Sequence, residues 1–88
     1  MVSENVVIKN EQGFHMRPAG VFSKTMAKFN SDVIILFNGK KINAKSVMSI
    51  IAGCIKSGSM ITISCDGQDE KEALSEAVSL IESGIGDE

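Results

Sequence analysis

Hydrophobic and polar positions along this 88-residue chain group into seven short blocks. Asn5-Val6-Val7-Ile8 is a β-branched run followed by polar residues 9–12, the pattern of an opening strand. Ala19, Phe22, Met26 and Phe29 then fall at i, i+3, i+7 and i+10, one face of a helix that opens within or just after residues 13–18. Asn30-Ser31-Asp32 is turn material. Residues 33–37 form an apolar strand that meets Asn38-Gly39, a dipeptide suited to a type I′ turn because both central positions need positive φ. Residues 40–43 therefore return antiparallel. Ser46 can cap a short helix that Gly53 ends, with Val47, Ile50 and Ile51 facing inward and Met48 left exposed. Residues 60–65 alternate, placing Ile61, Ile63 and Cys65 on one face. Asp69-x-x-Glu72 reads as a capping box. Leu74, Ala77, Val78, Ile81 and Ile85 follow at helical spacing, and Gly84 and Gly86 end the pattern.

The order β-α-β-β-α-β-α predicts an α+β fold: an open-faced β-sandwich with a four-stranded, mainly antiparallel sheet and three helices on one face. Residues 1–88 read as a single domain. One feature sits awkwardly in that scheme. If Val33, Ile35 and Phe37 point at the helices, Ile34 and Leu36 point from the opposite face, either as a dimer or partner surface or as an ordinary small apolar patch.

Charge narrows the class of partner. The formal net charge of −2 is too near balance for binding nucleic acid by phosphate neutralisation. Its distribution is uneven: residues 1–65 carry eight basic and three acidic side chains, whereas residues 66–88 carry eight acidic and one basic. Arg17, Lys24, Lys28, Lys45 and Lys56 could form a basic rim that steers an acidic protein partner; a generic solvated surface is the alternative. The first residues lack the pattern of a signal peptide and no apolar run approaches a membrane span, so a cytoplasmic protein without membrane insertion is expected. Cys54 and Cys65 lack the spacing of a zinc site and read as free buried thiols.

The candidate chemistry lies in Gly13-Phe14-His15-Met16-Arg17-Pro18, which holds the only histidine, arginine and proline of the chain. Proline is tolerated in a first helical turn, and Gly13 lets the chain turn sharply into it. With His15 as N-cap, the N–H groups of Met16 and Arg17, the helix dipole and the guanidinium favour a phosphate or carboxylate. Neutral imidazole is a competent nucleophile, so the phosphate can ride on the histidine itself. A solvated loop histidine is the plain alternative.

Gly13-x-His15-x-Arg17-Pro18, Phe37-Asn38-Gly39-Lys40, Lys45-Ser46-x-Met48, Gly58-x-x-Ile61-Thr62-Ile63-Ser64 and Gly67-x-Asp69-Glu70 closely resemble, in register over essentially the whole chain, the HPr family of histidine-containing phosphocarriers of the phosphoenolpyruvate-dependent sugar phosphotransferase system. The resemblance implies a monomeric carrier that takes a phosphoryl group from Enzyme I onto Nδ1 of His15 and passes it to sugar-specific IIA components. It implies that Arg17 helps neutralise the phosphate and that the carrier itself needs no cofactor or metal, magnesium being used by Enzyme I. It also implies a docking face of Met16, Gly20, Val21, Lys24, Val47, Met48 and Ile51. Ser46 resembles the site phosphorylated by a dedicated kinase in the Gram-positive branch, with a phosphorylase and a transcription regulator as further partners.

Met16, Gly20, Gln12 and Ser49 depart from the usual pattern. Gly20, at i+4 from Met16, reads as making room for that larger side chain. Two other functions remain open on sequence: a regulatory module acting through phospho-Ser46 on a transcription factor, and an unrelated small ligand-binding or acyl-phosphate-hydrolysing domain. The lack of a second catalytic group beside His15 and Arg17 counts against hydrolysis.

Overall fold

A computed structural model describes residues 1–9, 11 and 13–85. The Gln12 departure and Gly86 as a helix terminator lie outside the described residues. Strand β1 (Val2–Val7) leads through a loop to helix α1 (Met16–Met26); β2 (Asp32–Phe37) and β3 (Lys40–Asn43) form a hairpin; α2 (Val47–Ala52), β4 (Met60–Asp66) and α3 (Glu70–Glu82) complete the chain. The sheet order is β1-β4-β2-β3 and every pairing is antiparallel.

Alternation dictates the single layer of helices. Val6, Ile61, Ile63, Cys65, Val33, Ile35 and Ile42 are buried, while their sequence neighbours in the strands are half-buried or exposed. The buried set meets Ala19, Phe22 and Met26 of α1, Ile50 of α2, and Ala73, Ala77 and Ile81 of α3 in one core. Asn38 and Gly39 both adopt positive φ, 51° and 77°, as the type I′ hairpin requires. Ile34 is half-buried and Leu36 36% exposed on the uncovered face, where their cross-strand neighbours are Asn43, Lys41, Thr62 and Ser64.

Four expectations need correction. β1 starts at Val2, three residues early, because the polar Ser3 and Glu4 are tolerated on an edge strand. Helix α1 stops at Met26, so Phe29 packs from the following loop. Cys54 is exposed with φ 55°, just past the end of α2, so only Cys65 is a buried thiol. Gly53 ends α2 as expected, in a right-handed conformation, and a Cβ there would meet Ile42 Cδ1 at 2.5 Å, so close packing suits glycine at this position.

The fourth concerns Asp69. It is the N-cap of α3, yet its side chain makes no capping bond. Its carboxylate accepts from Asn30 N at 2.9 Å, Ser31 N at 2.8 Å and Ser31 Oγ, because the loop after α1 offers three donors where the helix would offer one. The Ser31 hydroxyl, followed by the Asn30 and Ser31 amides, holds the Asp69 carboxyl below the ordinary carboxylate range. A group depressed in the folded state contributes stability above its unfolded value and loses it as pH falls through the folded one. Asp69→Asn should therefore lower the urea midpoint at pH 7, and the difference from the unsubstituted protein should vanish in strong acid.

Candidate functional site

The loop before α1 is fixed from beneath. Phe14 is buried with its ring edge-on to Phe22, centroids 5.3 Å apart, and its N–H donates to Ile55 O at 3.0 Å. Gly13 turns at φ 69° directly against the backbone of Ile55 and Lys56, where a Cβ would lie 2.6 Å from Ile55 O. These contacts set the position from which His15 enters the helix. Sequence reasoning missed Phe14; the signal was an aromatic residue in an otherwise polar loop.

His15 is the N-cap of α1, extended at φ −93° and ψ −167°, and its carbonyl accepts from Ala19 N at 2.9 Å. Its side chain makes no capping bond. Nε2 is buried although the residue as a whole is partly exposed. Pro18 has no N–H and the Ala19 N–H is taken by His15, so the first turn presents two amides without an intrahelical acceptor, those of Met16 and Arg17. No acidic side chain stands in that turn. A helix start with two outward donors, no carboxylate of its own and an exposed arginine at its second residue is suited to an anion with several oxygens.

The basic rim is smaller than the sequence suggested. Lys56 lies beside the Gly13 turn, close to His15. Lys24 occupies the last turn of α1, about 12 Å along the axis from Met16, where a cation complements the dipole. Lys28 follows the end of that helix, and Lys45 Nζ donates to Phe29 O at 2.8 Å, also beyond its C-terminus. Arg17 and Lys56 are thus the members of the set nearest His15.

Helices α1 and α2 pack against one another. On them, Met16 is 67% and Met48 72% exposed, Lys24 is exposed, and Gly20, Val21, Val47 and Ile51 are half-buried. Ser46 is the N-cap of α2, its Oγ accepting from Ser49 N at 3.3 Å. Gly20 does not make room for Met16: a Cβ there would meet nothing within 4 Å. Gly20→Ala should therefore relieve the entropic penalty of glycine inside a helix and stabilise the protein by about 0.5–1 kcal/mol in urea denaturation. Among the described residues no group of three His, Cys, Asp or Glu could hold a metal, and no helix is long and apolar enough to cross a membrane.

A family model described as the PTS HPr component phosphorylation site matches residues 2–83. The chain is 40% identical over 82 residues to HPr-like protein Crh of Halalkalibacterium halodurans, covering 93% of this chain and 98% of that protein. It is similar to a crystal structure of HPr-C-His from Thermoanaerobacter tengcongensis, with TM-score 0.95, 41% identity, and coverage of 100% of this chain and 99% of that one. A crystal structure of an HPr dimer from the same organism aligns with TM-score 0.78 and 41% identity, covering 98% and 99%. The sheet order, the histidine at the start of α1 and a matched model spanning nearly the whole sequence lead to one assignment: the chain belongs to the HPr family of phosphocarrier proteins of the phosphotransferase system.

Proposed function

We propose that His15 takes a phosphoryl group from phosphorylated Enzyme I and passes it to sugar-specific IIA components. The observation that carries this reading is His15 as N-cap of a helix whose first turn offers two amides and no carboxylate. Burial of Nε2 favours Nδ1 as the nitrogen that meets phosphorus. Its lone pair forms the new P–N bond while the bond to the donor breaks and that electron pair returns to the donor. The Met16 and Arg17 amides and the guanidinium receive the phosphoryl oxygens, so transfer runs on positioning and charge, without a metal on the carrier. The carrier is a relay intermediate rather than an enzyme that releases product. It works in the cytoplasm as a monomer; the polar neighbours that interrupt Ile34 and Leu36 on the uncovered face support this state over a dimer. Residues Met16, Gly20, Val21, Lys24, Val47, Met48 and Ile51 form the docking face, Met16 and Met48 supplying adaptable apolar contacts.

Intact-mass spectrometry at neutral pH, after mixing with phosphoenolpyruvate, magnesium and Enzyme I, tests the reading. One acid-labile phosphoryl group is expected; no mass gain with a demonstrably active Enzyme I would overturn it.

Similarity to Crh, described for Bacillus subtilis as the catabolite repression HPr, favours a regulatory role for Ser46 as a second reading, in which a kinase and a phosphorylase set its state and a transcription regulator reads it. Phosphate at a helix start is locally favourable, yet it adds about −1.5 to −2 charges to a face that receives acidic partners. Ser46→Asp should slow transfer from Enzyme I about tenfold, within the range of electrostatic steering. An unchanged stopped-flow rate would leave Ser46 as an N-cap alone.

A further inference from the structure

Away from His15, a groove of about 670 Å³ runs between the edge strand β1 and helix α3. Its apolar floor is Val2, Leu74 and Val78, all half-buried, the last two one helical turn apart. The register shows how Glu4 comes to line it. Val2, Glu4 and Val6 stand opposite Cys65, Ile63 and Ile61, all buried, so Glu4 occupies the helix-facing side of its strand, where its two same-face neighbours are valines. Glu82 of α3 lines the same groove, and among the described residues neither carboxylate makes an ion pair. Among the described residues the single basic one lining it, Lys71, lies 11 residues before Glu82, about three turns away along the helix.

β1 is the outer strand of the sheet, so alternate backbone N–H and C=O groups along it face away from β4. Backbone donors and acceptors, an apolar floor and two carboxylates without ion-pair partners thus share one edge. We propose that this edge binds an extended segment of a partner protein by strand addition. A lysine or arginine of that segment faces Glu4 and Glu82, and apolar residues two positions to either side of it lie on Val2, Leu74 and Val78. Strand addition supplies main-chain bonding, and alternate side chains supply specificity. Charge selects a basic segment over a second copy of this chain. Pairing two β1 edges would set Glu4 and Glu82 of each copy against an equally acidic groove, and like charges facing each other on paired strands are destabilising.

The test uses the full-length ¹⁵N-labelled protein and a blocked heptapeptide, Thr-Val-Thr-Lys-Thr-Val-Thr. Saturable amide shifts confined to β1 and to residues 71–83 are expected. The same peptide with Glu in place of Lys should bind at least tenfold more weakly, and Glu4→Lys should reverse that preference. Glu4→Gln, a milder change, should weaken the Lys peptide several-fold while leaving phosphoryl uptake on His15 unchanged. Absence of saturable shifts, equal binding of both peptides, or shifts centred on α1 and α2 would overturn the proposal. So would concentration-dependent shifts of β1 without peptide, which would assign the edge to a second copy.

Discussion

Alanine at His15 abolishes phosphoryl uptake from Enzyme I and leaves the fold intact: this is the largest functional effect expected from a single substitution in the chain. The His15 backbone is extended, a conformation alanine adopts freely, so the unfolding free energy in urea should change by about 1 kcal/mol or less. The nucleophile has no substitute, because the chain contains no other histidine. Arg17→Ala gives the graded counterpart. Arg17 is exposed and lies at the second residue of α1, where its guanidinium would bind the transferring group without being bonded to it. Loss of one charge-assisted bond, about 1.5–3 kcal/mol, should slow transfer roughly tenfold to hundredfold while His15 still accepts phosphate. Quench-flow with acid-labile phosphate as readout separates the two variants. Uptake by His15→Ala would place the accepting group elsewhere, and an unaltered rate in Arg17→Ala would remove the guanidinium from the transfer step.

The second large effect is expected at Gly13. An L-residue at φ 69° costs about 1–2 kcal/mol in any setting, and here the added Cβ would also lie 2.6 Å from Ile55 O and 2.8–2.9 Å from main-chain atoms of Lys56. Those neighbours are backbone and cannot rotate aside. Gly13→Ala should therefore lose about 2–4 kcal/mol in urea denaturation. It should also slow transfer to His15, because relief of the clash pulls the Phe14 amide from Ile55 O. Gly39→Ala is the internal comparison. Gly39 has φ 77° but open space around the added methyl, so its loss should stay at the backbone cost alone. Equal losses at the two positions would show that the contact with residues 55–56 carries no energy.

Much of this architecture was legible because local and global signals agreed. Alternation located β4, the Asn38-Gly39 pair located the hairpin, and Ser46 marked the start of α2. Helical period and Pro18 also point to a helix opening within or just after residues 13–18, and His15 stands at its head. What could not be read depends on contacts across the fold. The Asp69 carboxylate had a local capping partner available in sequence and took a distant one, since nothing near residues 69–72 announces three donors on the loop at 30–31. Charge alone groups Lys45 with the site cations, but its Nζ bonds Phe29 O at the far end of α1. Helical spacing pairs Gly20 with Met16, but spacing does not reveal that the two leave open space between them.

Asp69 has a kinetic side as well. The residues it joins are 38 and 39 positions apart, with β2, β3, α2 and β4 lying between them. A loop of that length is not closed by three hydrogen bonds alone; the sheet must already have brought the two ends together before the carboxylate can find its donors. The bonds then act as a latch on a completed structure rather than as a seed for it. Interactions absent from the transition state slow unfolding and leave folding speed untouched. The junction at Asp69 therefore lengthens the lifetime of the native state and leaves the rate of reaching it to the hairpin and the sheet.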